Sequence, residues 1–184
     1  FTSTRIEYLR ELDSDFSSQL GFERRRDRPI GALAFNYTDP EDQERSIAEV
    51  DVSEFSLNLR WAPNEEFLQG RTYRTNLFNR YPIFKLDYQY GAPNLLGSDY
   101  DYHRVTLNVF KKFNLSFLGI MHIHLEGGKM FGQVPYNLMF LPRANQTYSY
   151  QTFSYNMMNF LEFVIDQYVS FIGLYYMNGY LLNN

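Results

Sequence analysis

The stretch EFSLNLRW, residues 54–61, places Phe55, Leu57, Leu59 and Trp61 on one side of an extended chain and Glu54, Ser56, Asn58 and Arg60 on the other. The same period of two recurs in YPIFKLDYQY, where Phe84, Leu86, Tyr88 and Tyr90 oppose Lys85, Asp87 and Gln89. In NLSFLGIMHIHLE, Leu115, Phe117, Met121, Ile123 and Leu125 oppose Ser116, His122, His124 and Glu126, with Leu118 and Ile120 interrupting the polar side. A helical period of 3.6 is almost nowhere found, so the chain reads as all-β. Strands are predicted over 4–12, 17–26, 30–37, 52–61, 81–90, 102–112, 115–126, 148–156 and 163–177. Most are longer than the ~5–6 residues usual in sheets of globular proteins and match the ~9–11 that cross a bilayer at a tilt.

The connections alternate in character. Asp13-Ser14-Asp15, Arg26-Asp27-Arg28-Pro29 and 111–114 read as tight turns, whereas TDPEDQERS, GAPNLLGSDYD and EGGKMFGQVP read as long loops. Residues 62–80 fit either one long loop or a loop with a strand over 66–75. No internal repeat or low-complexity tract is present.

Composition sharpens this picture. Aromatic residues make up 18% of the 184-residue chain, with 16 Tyr and 17 Phe, and such residues favour strands and gather at membrane interfaces. No apolar run approaches the ~20 residues of a membrane-spanning helix, which excludes a helical membrane protein. The net charge of −4, with both signs interleaved, argues against a nucleic-acid partner, and the absence of cysteine removes disulfides and thiolate metal sites. Length implies one domain, 1–184. The chain opens at Phe1 and stops after NGYLLNN, and is expected to be a piece of something longer. Long strands with tyrosines near their ends lead to an antiparallel transmembrane β-barrel, against a soluble sandwich giving the same alternation.

Several strings taken in order carry a resemblance: RWAPNEEFLQGRTYR, NRYPIFKLDYQYG, YDYHRVTLNVFKKFNLSFLG, GKMFGQVPYNLMFLP, FSYNMMNFLEFVIDQYVSF and NGYLLNN. Together they resemble the C-terminal region of a family of uncharacterised Gram-negative outer-membrane proteins, in which a carboxypeptidase-regulatory-like sandwich precedes the barrel. That barrel is distantly similar to the outer-membrane assembly and surface-antigen superfamily. The resemblance implies an incomplete part of a larger barrel in the outer membrane of a Gram-negative bacterium. Its role would be transport, assembly or structure, and its partners the lipid bilayer, lipopolysaccharide or other outer-membrane proteins.

In that frame Phe84, Leu86, Phe117, Ile123, Phe163, Val169 and Phe171 are expected to face lipid. Glu162, Asp166, His122, His124, Glu126 and Arg60 are expected to form a polar network in the lumen, with Glu162 and Asp166 pairing to Arg60, Arg71, Arg74 or Arg104. The His122-x-His124 pair with Glu126 has zinc-ligand character, but His103 is the only further histidine. No Gly-x-Ser-x-Gly is present, and GGKMFG lacks the end of a phosphate loop. No cofactor and no catalytic residue are therefore expected. A barrel-embedded hydrolase and a soluble β-sandwich binding module remain the alternatives.

Overall fold

In the computed structural model the described residues are 2–13, 15–28, 35–38, 44–47, 49–77, 79–98, 100–145, 147, 149–159 and 161–177. Among the described residues eleven strands are formed: β1 (Thr2–Asp13), β2 (Phe16–Asp27), β3 (Phe35–Thr38), β4 (Glu44–Ile47), β5 (Val50–Trp61), β6 (Phe67–Gln69), β7 (Arg74–Asn76), β8 (Ile83–Gly91), β9 (Tyr102–Asn114), β10 (Ile120–Gly132) and β11 (Gln167–Tyr176). Seven of them make one antiparallel sheet in the order β1-β2-β5-β8-β9-β10-β11, while β3-β4 and β6-β7 are separate hairpins. The long connections after β2, β5 and β10 leave every neighbouring pair antiparallel.

Register explains why the sheet has two unlike faces. Glu11, Ser17, Arg60, Lys85, Asn108, Glu126 and Ser170 lie in one row across all seven strands. The next row toward the β9 N-terminus runs Leu9, Gln19, Asn58, Asp87, Thr106, Gly128 and Tyr168. A slip of one residue in any strand would put its apolar set among these polar side chains, so the alternation fixes the register. On the opposite face cross-strand rings meet, Phe22 with Phe55 at 5.0 Å and Trp61 with Phe84 at 5.4 Å between centroids.

The core lies at one end of the polar face, where the alternating positions turn apolar. Val50, Val52, Tyr102 and Met130 there pack with Leu138 and Phe140 from the segment 133–166, which folds back across the sheet. Two glycines make this packing possible. A side chain at Gly91 would come within 2.2 Å of the Tyr102 ring, and one at Gly128 within 2.4 Å of the Tyr168 ring and 2.9 Å of Phe140. Tyr102, 1% exposed, donates its hydroxyl proton to Glu54 Oε2 at 2.6 Å, so its polar tip is satisfied while its ring is buried.

Several expectations are corrected here. The sheet is open: β1 and β11 are its two edges and are not paired with each other among the described residues, so the closed barrel is not formed. A hydrocarbon environment requires every backbone N–H and C=O to be bonded internally, which closure provides and two free edges do not. The transmembrane reading, the outer-membrane location and the bilayer, lipopolysaccharide and outer-membrane-protein partners, drawn from strand length, tyrosine placement and the resemblance, find no support in this open sheet. No helix among the described residues is long and apolar enough to cross a membrane, which bears on helical crossing alone.

The residues expected to face lipid lie in different places. Phe84, Leu86, Ile123, Val169 and Phe171 do share the apolar face, with Val169 82% exposed, but that face belongs to an open sheet. Phe117 sits in a 3-10 turn, Ser116–Leu118, between β9 and β10, and Phe163 precedes β11 and lines a cavity on the polar side. The strand predicted over 115–126 begins only at Ile120, because Ser116 and Gly119 take positive φ (57° and 114°) to close the turn. The chain over 149–156 forms turns in place of a strand, and residues 30–34 and 148 of the predicted strands lie outside the described residues.

Candidate functional site

Segment 133–166 does not seal the polar face. Between it and strands β8 to β11 lies a cavity of about 510 Å³. Its floor is Asp87 and Gln89 of β8, Arg104, Thr106 and Asn108 of β9, and His124 and Glu126 of β10. The covering segment contributes Phe140, Arg143, Phe153, Tyr155 and Phe163, and β11 closes one side with Tyr168, Ser170 and Ile172. The floor is polar because these strands alternate, and the roof is aromatic because the tyrosine- and phenylalanine-rich segment turns back over them.

Glu126 is the hub of the floor. It is 7% exposed and accepts hydrogen bonds from the Tyr168 hydroxyl and from Arg143 Nη2. A buried carboxylate costs several kcal/mol unless paired and hydrogen-bonded, and both conditions are met here. Burial, reinforced by the bond to Glu126, pushes the Tyr168 phenol well above its usual range, so Tyr168 remains a donor. His124 Nε2 lies 3.8 Å from Glu126 Oε2 and 3.1 Å from Asn108 Oδ1. Burial holds the His124 imidazole below its ordinary pKa, against the opposing pull of Glu126 and with help from Arg143 and Lys85. The neutral ring therefore donates Nε2–H to Asn108 and stacks edge-on against Phe153 at 5.7 Å.

Asp87 is pushed above the usual carboxylate range, chiefly by burial, with Lys85 opposing and Glu126 adding to the effect. Arg104 stands with its guanidinium carbon 4.4 Å from the centre of the Phe140 ring. It donates to Gln89 Oε1 at 3.4 Å and to the Met139 carbonyl at 3.3 Å. Ser170 Oγ is engaged with the Tyr155 hydroxyl, which ties the roof to β11.

Of the residues expected to form a polar network, His124 and Glu126 are brought together in this cavity. His122 shares their face but packs against Phe110 and Tyr176. Arg60 lies in the Glu126 row three strands away and pairs with Glu65 at 2.6 Å. Glu162 and Asp166 are exposed and precede β11; Glu162 Oε2 accepts the Asn159 backbone N–H at 2.8 Å. His103 lies on the opposite face, hydrogen-bonded through Nδ1 to the Tyr88 hydroxyl at 2.7 Å. It therefore cannot join His122 and His124, and among the described residues no group of three or more metal-ligating side chains gathers. Sequence reasoning missed Arg143 and the pairing of Tyr168 with Glu126. The parity of β11 was legible, but nothing in the sequence showed where 133–166 would fold.

Residues 19–184 match the C-terminal domain of a family of unknown function, DUF5686. The chain belongs to that family. This replaces the resemblance to an outer-membrane barrel family: the family carries no assigned function, and this member of it forms an open antiparallel sheet. No curated protein matches the chain.

Proposed function

We propose that this domain is a non-catalytic binding module whose ligand occupies the cavity above β8 to β11. One observation carries the reading. Groups able to do chemistry are engaged with one another, Glu126 with Arg143 and Tyr168, His124 with Asn108, and Ser170 with Tyr155, while the space they enclose stays open. A nucleophile would have to be within hydrogen-bond reach of its base, and Ser170 has Tyr155 as its partner in place of His124. Concave sites with mainly aromatic walls and a few fixed polar groups, in the size range of roughly 300–1,000 Å³, are what small-molecule ligands occupy.

The test is a screen of small aromatic and polar fragments by ligand-observed NMR on the full chain, repeated with Thr106→Trp, which fills the floor. Fragments are expected to bind the unaltered protein and to lose binding in a Thr106→Trp variant that keeps its circular dichroism spectrum. Binding that persists in the filled variant, or no binding to either, contradicts the reading.

A further inference from the structure

We propose that the cavity's ligand is a monocarboxylate with an apolar body, its carboxylate anchored by Arg104. The inference rests on the cavity being a ligand site and adds the chemical class. Most other arginines with described side-chain contacts have a carboxylate beside them: Arg5 with Glu7 at 2.6 Å, Arg25 with Asp27 at 3.0 Å, Arg26 with Asp51 at 2.6 Å, Arg28 with Glu49 at 2.9 Å, Arg60 with Glu65 at 2.6 Å, and Arg143 with Glu126. Arg104 has no such ion pair among the described residues, although it is half-buried and forms part of the cavity floor.

A guanidinium has five N–H donors, and Arg104 spends two of them on neutral oxygens at 3.3 and 3.4 Å, near the long limit of a hydrogen bond. Glu54 is the carboxylate that acts on it most strongly, but one Glu54 oxygen already accepts from Tyr102 at 2.6 Å. Phe140 packs against the guanidinium and so restricts its plane. A partly desolvated cation in this state is best satisfied by a carboxylate, which takes two parallel N–H bonds from the arginine fork.

Of the other floor charges, Glu126 is paired with Arg143, and burial raises the Asp87 pKa, which weakens the repulsion either carboxyl offers an anion. Phe153, Phe163, Met158, Ile165 and Ile172 supply an apolar enclosure for the rest of the molecule.

The experiment is titration calorimetry of the full chain with phenylbutyrate and with phenylbutanol, which share a body and differ in the charged end. The acid is expected to bind about tenfold or more tightly than the alcohol, the range set by one charge-assisted bond. Arg104→Met, which keeps the stem against Phe140, is expected to bring the acid down to the alcohol's affinity and leave the alcohol unchanged; Arg104→Lys is expected to fall between. Equal binding of acid and alcohol would overturn the carboxylate assignment while leaving the cavity a ligand site. If neither binds, this inference fails, and the fragment screen separately decides the wider reading. The comparison within the unaltered protein stands even if Arg104→Met does not fold.

Discussion

Replacing Gly128 by Ala tests the fit of the covering segment by the sign of its effect. Neither Gly128 nor its neighbour Gly127 has a backbone angle in the positive-φ region, so alanine is conformationally allowed at both. In a strand interior alanine is favoured over glycine by roughly 0.5–1 kcal/mol, and with no other effect both variants would be stabilised. At Gly128, however, the new methyl would lie 2.4 Å from Tyr168 Cε1, 2.9 Å from Phe140 Cζ and 3.1 Å from Phe140 Cε1. These two rings are themselves in edge contact at 5.0 Å, and Phe140 is 6% exposed, so neither can retreat without opening the core. Overpacking of this kind costs about 1–3 kcal/mol, which outweighs the backbone gain. At Gly127 the nearest atoms are Tyr168 O at 3.7 Å and Val169 Cγ2 at 4.0 Å, ordinary contacts on the exposed face. Guanidinium unfolding followed by circular dichroism should therefore show Gly128→Ala destabilised and Gly127→Ala unchanged or slightly stabilised. A stabilised Gly128→Ala would mean that Phe140 and Tyr168 do not meet over this strand, and the cavity would lose its roof.

Glu126→Gln is expected to lower stability by about 1–3 kcal/mol in the same assay, because one of its acceptors becomes an NH2 facing the donors of Tyr168 and Arg143; an unchanged midpoint would remove Glu126 as the hub. Burial raises the Asp87 pKa in the folded state, so ionised Asp87 costs stability at neutral pH and ceases to do so below the ordinary value of ~3.9. Asp87→Asn should then stabilise the protein at pH 7, with the gain fading on acidification, and a destabilised variant at pH 7 would refute this. For His124 the folded pKa is depressed, so its contribution is present above ~6.5 and is lost as pH falls through the folded value. An NMR titration of its ring should give a midpoint below ~6.5, and one above it would place Glu126 in control of the ring.

The faces of the strands were legible because a period of two specifies them residue by residue. Phe55, Leu57, Leu59 and Trp61 do stand opposite Glu54, Ser56, Asn58 and Arg60, and β8 separates as its alternation implied. Alternation does not say what covers a face, nor whether the first and last strands meet. A barrel and an open sheet present the same pattern, and long strands such as β9 and β10 serve either. Parity also misleads where it is counted past the end of a strand. The strand predicted over 163–177 begins only at Gln167, so Glu162 and Asp166 lie before it and outside its alternation. Where the aromatic run 148–156 predicts a further strand, residues 149–156 form turns held by Asn145, whose Nδ2 donates to the Ser149 carbonyl and to Asn156 Oδ1. Its rings cover the polar floor, and that tertiary role leaves no periodic trace.

The most direct test of the account is chemical-shift mapping of the tightest-binding fragment on isotope-labelled full chain. Shifts confined to Thr106, Asn108, His124, Ser170 and the covering residues Phe140 and Phe153 are the result expected of a ligand held between the sheet and its roof. Shifts centred instead on Phe55, Leu57 and Tyr90 of the opposite face would show that the cavity is structural and that binding belongs to the apolar side.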